Sequence, residues 1–235
     1  MSISENLAHL HEQIAAACHR ANRPVSEVAL MAVSKMHPAA AILEAHAAGQ
    51  RLFGENRVQE FADKSPTVSQ LPDAEFHLIG PLQSNKTTRA AELFHSIDTV
   101  DSLRIAQRLN TAAAALNKTL PILIEVKLSH EATKHGLAPE DLPALLNDLT
   151  PLTHLIPTGL MTVPPWCTPE DPEPARPYFQ HLRRLRDQQQ PLHPTLTQLS
   201  IGMSNDFTVA IEEGSTCIRI GTAIFGKRQY PEATA

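Results

Sequence analysis

The chain has 235 residues, of which 42% are hydrophobic and 19% charged, with 19 Pro, 9 Gly and 3 Cys. That apolar fraction excludes a disordered chain, and the scarcity of Gly excludes a collagen-like or Gly/Ser-linker protein. A formal charge of -5 excludes a strongly basic nucleic-acid binder, which needs many cations to neutralise phosphates.

Short apolar runs alternate with helical segments along the chain. Val28 to Val33 reads as a buried strand. Pro38 to Gly49 reads as an Ala-rich helix, with Pro at its start and Gly at its end. Arg51 to Gly54 is a short strand and Asn56 to Lys64 a helix; Glu75 to Gly80 is a strand and Ser84 to Phe94 a helix. His95 to Val100 is a strand, followed by a long Ala/Leu helix from Ser102 to Asn117 with Asp101 as its N-cap. Leu120 to Leu128 is the clearest strand, and Pro139 to Leu149 the helix after it. His154 to Val163 holds a sixth strand-like unit, and Glu173 to Gln190 a helix. Leu196 to Ile201, Asp206 to Glu213 and Thr216 to Ile220 complete the series as strand, helix and strand. The Pro-rich stretch Pro164 to Pro177 reads as a long surface loop with no role of its own.

Strands that alternate with helices argue for an α/β protein with a parallel sheet and helices outside it. Eight such units point to a (β/α)8 TIM-type barrel, a single domain over residues 1–235 and near the lower size limit of that fold. An open doubly wound sheet would need an early Gly-rich phosphate loop such as GxGxxG, which the chain lacks.

No run reaches the ~18 apolar residues that a bilayer span needs. Met1 to Glu12 shows no basic segment followed by an apolar one, so a secretory signal is not expected. Cys18, Cys167 and Cys217 are an odd, widely spaced set, which fits a reducing cytoplasm. His130 and His135 are five residues apart, whereas a zinc-binding HExxH helix needs four, so no metal site is expected.

In a barrel of this kind, active groups sit at the C-terminal ends of the strands. Five of the nine glycines fall there: Gly54, Gly80, Gly159, Gly202 and Gly221. Period-two alternation puts Cys217, Arg219 and Gly221 on one face of the last strand. A guanidinium inside a barrel needs a partner. That partner is either an internal carboxylate such as Glu125 or an anionic or ring-nitrogen group of a ligand. Ser204 and Thr222 each precede a helical segment at the ends of strands seven and eight. Either they cap those helices, or with the backbone N–H groups they form the phosphate site usual at this place. Lys35 ends an otherwise apolar strand. It either snorkels to the surface or forms a Schiff base with an aldehyde. A phosphate site, an interior Arg and a Lys after strand one together describe a pocket for pyridoxal 5′-phosphate (PLP).

Several ordered motifs carry a family resemblance. They are Ala32-Val-Ser-Lys35, Phe53-Gly-Glu-Asn56-Arg57-Val-Gln-Glu60, His77-Leu-Ile-Gly80, Gly202-Met203-Ser204-Asn-Asp206 and Arg219-Ile-Gly221-Thr222. Over about residues 28–228 the chain resembles the pyridoxal phosphate homeostasis proteins. The resemblance implies a PLP-binding barrel like the N-terminal domain of alanine racemase. It implies that Lys35 forms an aldimine with PLP, and that Ser204, Gly221 and Thr222 hold the phosphate, with Met203 among the cofactor-binding residues. Arg219 would face the pyridine nitrogen, Asn56 would lie near the ring hydroxyl, and His77 would line the pocket. Lys134 matches a family lysine implied as a secondary PLP site.

The function implied is PLP homeostasis: holding the cofactor and buffering it or delivering it to apo-enzymes, with little or no turnover. A guanidinium cannot accept a proton, so Arg219 would keep the ring nitrogen unprotonated and the ring a weak electron sink. The alternative is a small PLP-dependent amino-acid racemase, which would need an acid/base on the second ring face. The partners expected are PLP and apo PLP-enzymes, with no nucleic acid and no membrane, and with the barrel acting as a monomer.

Overall fold

In the computed structural model, residues 2–129, 131 and 135–226 are described. Eight parallel strands pair in chain order. They are β1 (Ala29–Val33), β2 (Leu52–Glu55), β3 (Glu75–Leu78), β4 (Ser96–Val100), β5 (Leu120–Glu125), β6 (Leu155–Met161), β7 (Gln198–Ser200) and β8 (Cys217–Ile220). β8 returns to β1 with Met31 opposite Arg219, which closes the expected (β/α)8 barrel. Closure leaves no strand edge unpaired.

The outer layer holds α2 (Ala39–Ala47), α3 (Val58–Val68), α4 (Thr87–Leu93), α5 (Leu103–Ala115), α6 (Leu142–Leu149), α7 (Arg176–Gln189), α8 (Phe207–Glu212) and the short α9 (Thr222–Phe225). Alternation along the strands fixes what each layer buries. Leu30, Phe53, Phe76, Ile122, Leu199 and Ile218 turn outward into the helix layer and form its core. Phe61 on α3 stacks between Phe76 and Phe94, with ring centroids 4.7 and 4.8 Å away.

Met31, the side chain nearest to Gly54, turns inward, as does Ile79. The barrel interior is unusually polar for a fold whose inner layers are mostly Val, Ile and Leu. Asp98, Ser200 and Arg219 are buried in it, beside Cys217.

One helix has no counterpart in the sequence reading. α1 (Ile3–Arg20) precedes the barrel and packs on α2, α8 and α9. Its signal is present in the chain. Ser2 accepts from the Glu5 N–H while Glu5 bonds back to the Ser2 N–H, a capping box. Leu7, Leu10, Ile14 and Ala17 recur at helical spacing and are buried. Elsewhere the boundaries move by a few residues. The first turn of the helix predicted from Ser84 is a 3-10 turn, Ser84–Lys86, and β5 stops at Glu125. Among the described residues, no helix is long and apolar enough to cross a membrane.

Candidate functional site

The strands that carry the predicted residues are neighbours. β7, β8, β1, β2 and β3 follow one another around the ring. Their C-terminal ends therefore gather Ser204, Thr222, Lys35 and Asn56 on one sector of the barrel mouth. Val33 touches the position a Cβ on Gly221 would take, so Lys35 follows just above Gly221. Lys35 is half-buried in the turn after β1. Asn56 follows β2 and is half-buried, and its side-chain amide forms no hydrogen bond among the described residues.

Gly80 explains the tight approach of β2 and β3 at this end. A Cβ there would sit 2.2 Å from the Asn56 carbonyl oxygen, so only Gly lets the chain pass. Gly202 makes the turn out of β7. Its φ is +101°, and it faces the Ala210 side chain too closely for a Cβ.

The turn after Gly202 is braced from within. Asp206 accepts from the Met203 N–H, and Met203 accepts in return from the N–H groups of Asp206 and Phe207. Burial pushes the Asp206 carboxyl above its usual range. Asp206, not Ser204, stands at the N-cap of α8, and Gly221, not Thr222, at that of α9. The Ser204 and Thr222 hydroxyls form no hydrogen bond among the described residues. Nor do the N–H groups of Ser204, Asn205, Thr222 and Ala223. The capping reading therefore does not hold, and two adjacent strand ends present uncommitted donors.

Arg219 is buried, and three of the five N–H donors of its guanidinium bond to protein groups among the described residues. One nitrogen donates to the Ser200 carbonyl and, at 2.8 Å, to the Ser200 hydroxyl; another donates to the Thr162 carbonyl at 2.9 Å. No carboxylate among the described residues forms an ion pair with it, so the Glu125 pairing is not observed. Burial lowers its pKa, opposed by the nearby Cys217, Asp206, Asp98 and Glu125. An arginine nevertheless keeps its proton in a protein. Burial likewise raises the Glu125 carboxyl, which Arg219 pulls back down in part. Glu125 lines a small cavity of about 190 Å³ with Lys127, Ser129, His135 and Val163 at the end of β5.

His77 stands apart from the group at the strand ends. Its Nδ1 lies 3.1 Å from Asp98, and its Nε2 faces Glu75 at 3.8 Å. It belongs to the polar network inside the barrel. Lys134 lies outside the described residues.

The Pro-rich loop packs against the turn after β7. Cys167 is buried and donates from its thiol to Asp206 at 3.8 Å, while Asn205 donates to the Cys167 carbonyl at 2.9 Å. The neighbouring Trp166 is 75% exposed. No periodic pattern in the residues marks this contact, because a loop segment carries none.

Comparison with known proteins agrees with this architecture. The alanine racemase N-terminal domain family matches residues 6–229. A pyridoxal phosphate homeostasis protein of Pseudomonas aeruginosa is 46% identical over 232 residues, covering 97% of each chain. The structure of PipY from Synechococcus elongatus, solved with PLP bound, superposes with a TM-score of 0.84 at 43% identity. It covers 96% of this chain and all of that one. An alanine racemase of Clostridium difficile, 16% identical and with a TM-score of 0.74, shares the fold over 58% of its own chain. The chain belongs to the pyridoxal phosphate homeostasis proteins, a family built on the barrel of alanine racemase.

Proposed function

We propose that this protein binds PLP at the barrel mouth and maintains its supply, buffering it or handing it to apo-enzymes, with little turnover of its own. The observation that carries this reading is the pair of strand ends at Ser204 and Thr222. Two hydroxyls and the adjoining N–H groups have no partner among the described residues there, the chemistry a phosphate dianion requires. Met203 and Gly221 shape the backbone of those two turns. Arg219, already fixed by Ser200 and Thr162, would meet the ring nitrogen as a donor that cannot take a proton from it. Asn56 would reach the ring hydroxyl, and His77 would support the pocket from inside the barrel through Asp98.

The cofactor, when bound, supplies an aldehyde that condenses with a primary amine. Lys35 is the amine proposed here, so that the cofactor is held as an aldimine. Membership of a family whose relatives are named for homeostasis rather than for a reaction supports a carrier.

The test is spectroscopic. Purified protein given PLP should show an absorbance band near the visible edge. Borohydride should abolish that band and leave a label on Lys35, and Lys35→Ala should lose retention of the cofactor. A protein that takes up no PLP overturns the reading. Rapid α-proton exchange on a free amino acid would overturn the carrier part of it.

A further inference from the structure

Behind the β1 turn lies a buried charged cluster with no part in the site described above. Lys64 on α3 is 9% exposed, and its ammonium has three acceptors. These are the Ser34 carbonyl at 3.0 Å, the Glu55 carboxylate at 2.9 Å and the Glu60 carboxylate at 2.7 Å. Glu55 also accepts from the Ser34 hydroxyl at 2.8 Å, and Glu60 accepts from the Met36 N–H. The cluster thus grips the residue before Lys35 and the residue after it.

Three features set this cluster apart from an ordinary structural ion pair. First, it is kept where apolar side chains would serve stability as well or better. The second oxygen of Glu55 is buried without a hydrogen bond, a costly arrangement. Second, it lies on the outward face of β2, which otherwise packs Phe53 into the helix layer. Third, the turn it grips is strained. Met36 has a φ of +62°, which a side chain other than Gly, Asn or Asp seldom adopts. Such strain persists only where the surroundings over-determine it, and it concentrates at functional sites. Here the surroundings are the bonds from Glu60 to Met36 and from Lys64 to Ser34, with the His37 N–H donating to the Ser34 carbonyl at 3.1 Å.

We infer that Lys64, acting through Ser34, Glu55 and Glu60, is a positioning residue that fixes the strained turn from which Lys35 reaches the ligand. This rests on the proposed role of Lys35. Lys64 touches no ligand. It holds the backbone on both sides of Lys35, so that the amine need not be ordered when an aldehyde arrives.

The experiment compares four variants of the full chain. Lys64→Met removes the centre of the cluster. Glu60→Ala removes its half-exposed arm, and Glu60→Gln restores an acceptor for both Met36 and Lys64. Gln50→Leu is a stability control. Gln50 bridges the Leu30 and Leu52 carbonyls below the site, so its loss weakens β1 and β2 without touching the turn. PLP retention is read by dialysis and by the pH titration of the visible-edge band. Hydrogen exchange at Met36 and His37 is read without PLP.

Retention should fall about tenfold or more in Lys64→Met and Glu60→Ala, the size of effect that the loss of even one charge-assisted hydrogen bond brings. It should return to within about threefold of wild type in Glu60→Gln. The titration midpoint should move in the first two variants only. Gln50→Leu should lower the melting temperature and leave retention and titration unchanged. Wild-type retention and titration in both Lys64→Met and Glu60→Ala would overturn the inference. A wild-type protein that takes up no PLP would overturn the proposed function instead. The cluster is then decided by exchange alone: faster exchange at Met36 in Lys64→Met upholds it as the clamp on the turn, and unchanged exchange overturns it.

Discussion

His77 and Asp98 meet inside the barrel, with the imidazole Nδ1 3.1 Å from the carboxylate. Burial by itself would lower the His77 pKa, but the charge and hydrogen bond of Asp98, assisted by Glu75, push it up to about 9. The native state therefore holds this proton more tightly than the unfolded chain, whose histidine titrates near 6.5. The contribution is complete below about pH 6.5 and is lost as pH rises through about 9. The full shift corresponds to a stability on the order of 3 kcal/mol. Urea unfolding followed from pH 7 to pH 9.5 should show a falling midpoint, and His77→Gln should flatten that fall. A wild-type midpoint that stays level across this range rejects the prediction.

Ser204 and Thr222 offer a sharper separation of binding from folding. Among the described residues their hydroxyls form no hydrogen bond, so Ser204→Ala and Thr222→Val should change stability by only about 0.5 kcal/mol. Each should weaken PLP binding about tenfold or more, the loss of a hydrogen bond to a charged group. Pyridoxal, which lacks the phosphate, provides the control. The preference of wild type for PLP over pyridoxal should shrink in both variants, as measured by spectroscopic titration.

Arg219 should behave in the opposite way, with folding and binding failing together. Arg219→Gln removes donors from the Ser200 and Thr162 carbonyls, both deep in the barrel. Leaving one such acceptor unsatisfied costs about 1–3 kcal/mol. Unfolding should report a loss of that size, and PLP retention should fall as well. Retention at the wild-type level would remove Arg219 from the site.

The Asn205 contact predicts that the Pro-rich loop and the turn after β7 respond to each other. Asn205→Ala frees the loop at the Cys167 carbonyl. Protease cleavage within residues 164–175 should become faster. PLP affinity should fall several-fold, because Met203 to Asp206 share the same turn. Fluorescence of the exposed Trp166 follows the loop directly.

Much of this was legible in the sequence for a physical reason. Parallel strands buried on both faces appear as apolar runs, and the turns at their ends need Gly, so the barrel could be read from runs such as Val28 to Val33 and their punctuation. The arrangement at Arg219 also followed from alternation, although its partners did not. Backbone carbonyls from other strands leave no trace in a residue pattern. The same holds for Lys64, which reads as one charged residue among several on a helix. Its meaning appears only when β1, β2 and α3 bring Ser34, Glu55 and Glu60 around it. α1 was readable from its capping box and its spacing, but it lies outside the strand–helix repeat.

The pairing of β1 with β8 joins the two most distant strands in the chain, Ala29 to Cys217 and Met31 to Arg219. α1 spans the same seam from outside, with Asn6 donating to the Ile224 carbonyl at 2.8 Å. Ring closure therefore depends on a contact of the longest range, the kind that slows folding most. Until it forms, the nascent sheet presents two open edges, a template for pairing with other chains. The proposed phosphate turn at Thr222 is completed by the same event. A ligand held there would draw together the first and last strands, and would act on assembly of the barrel as well as on its finished form.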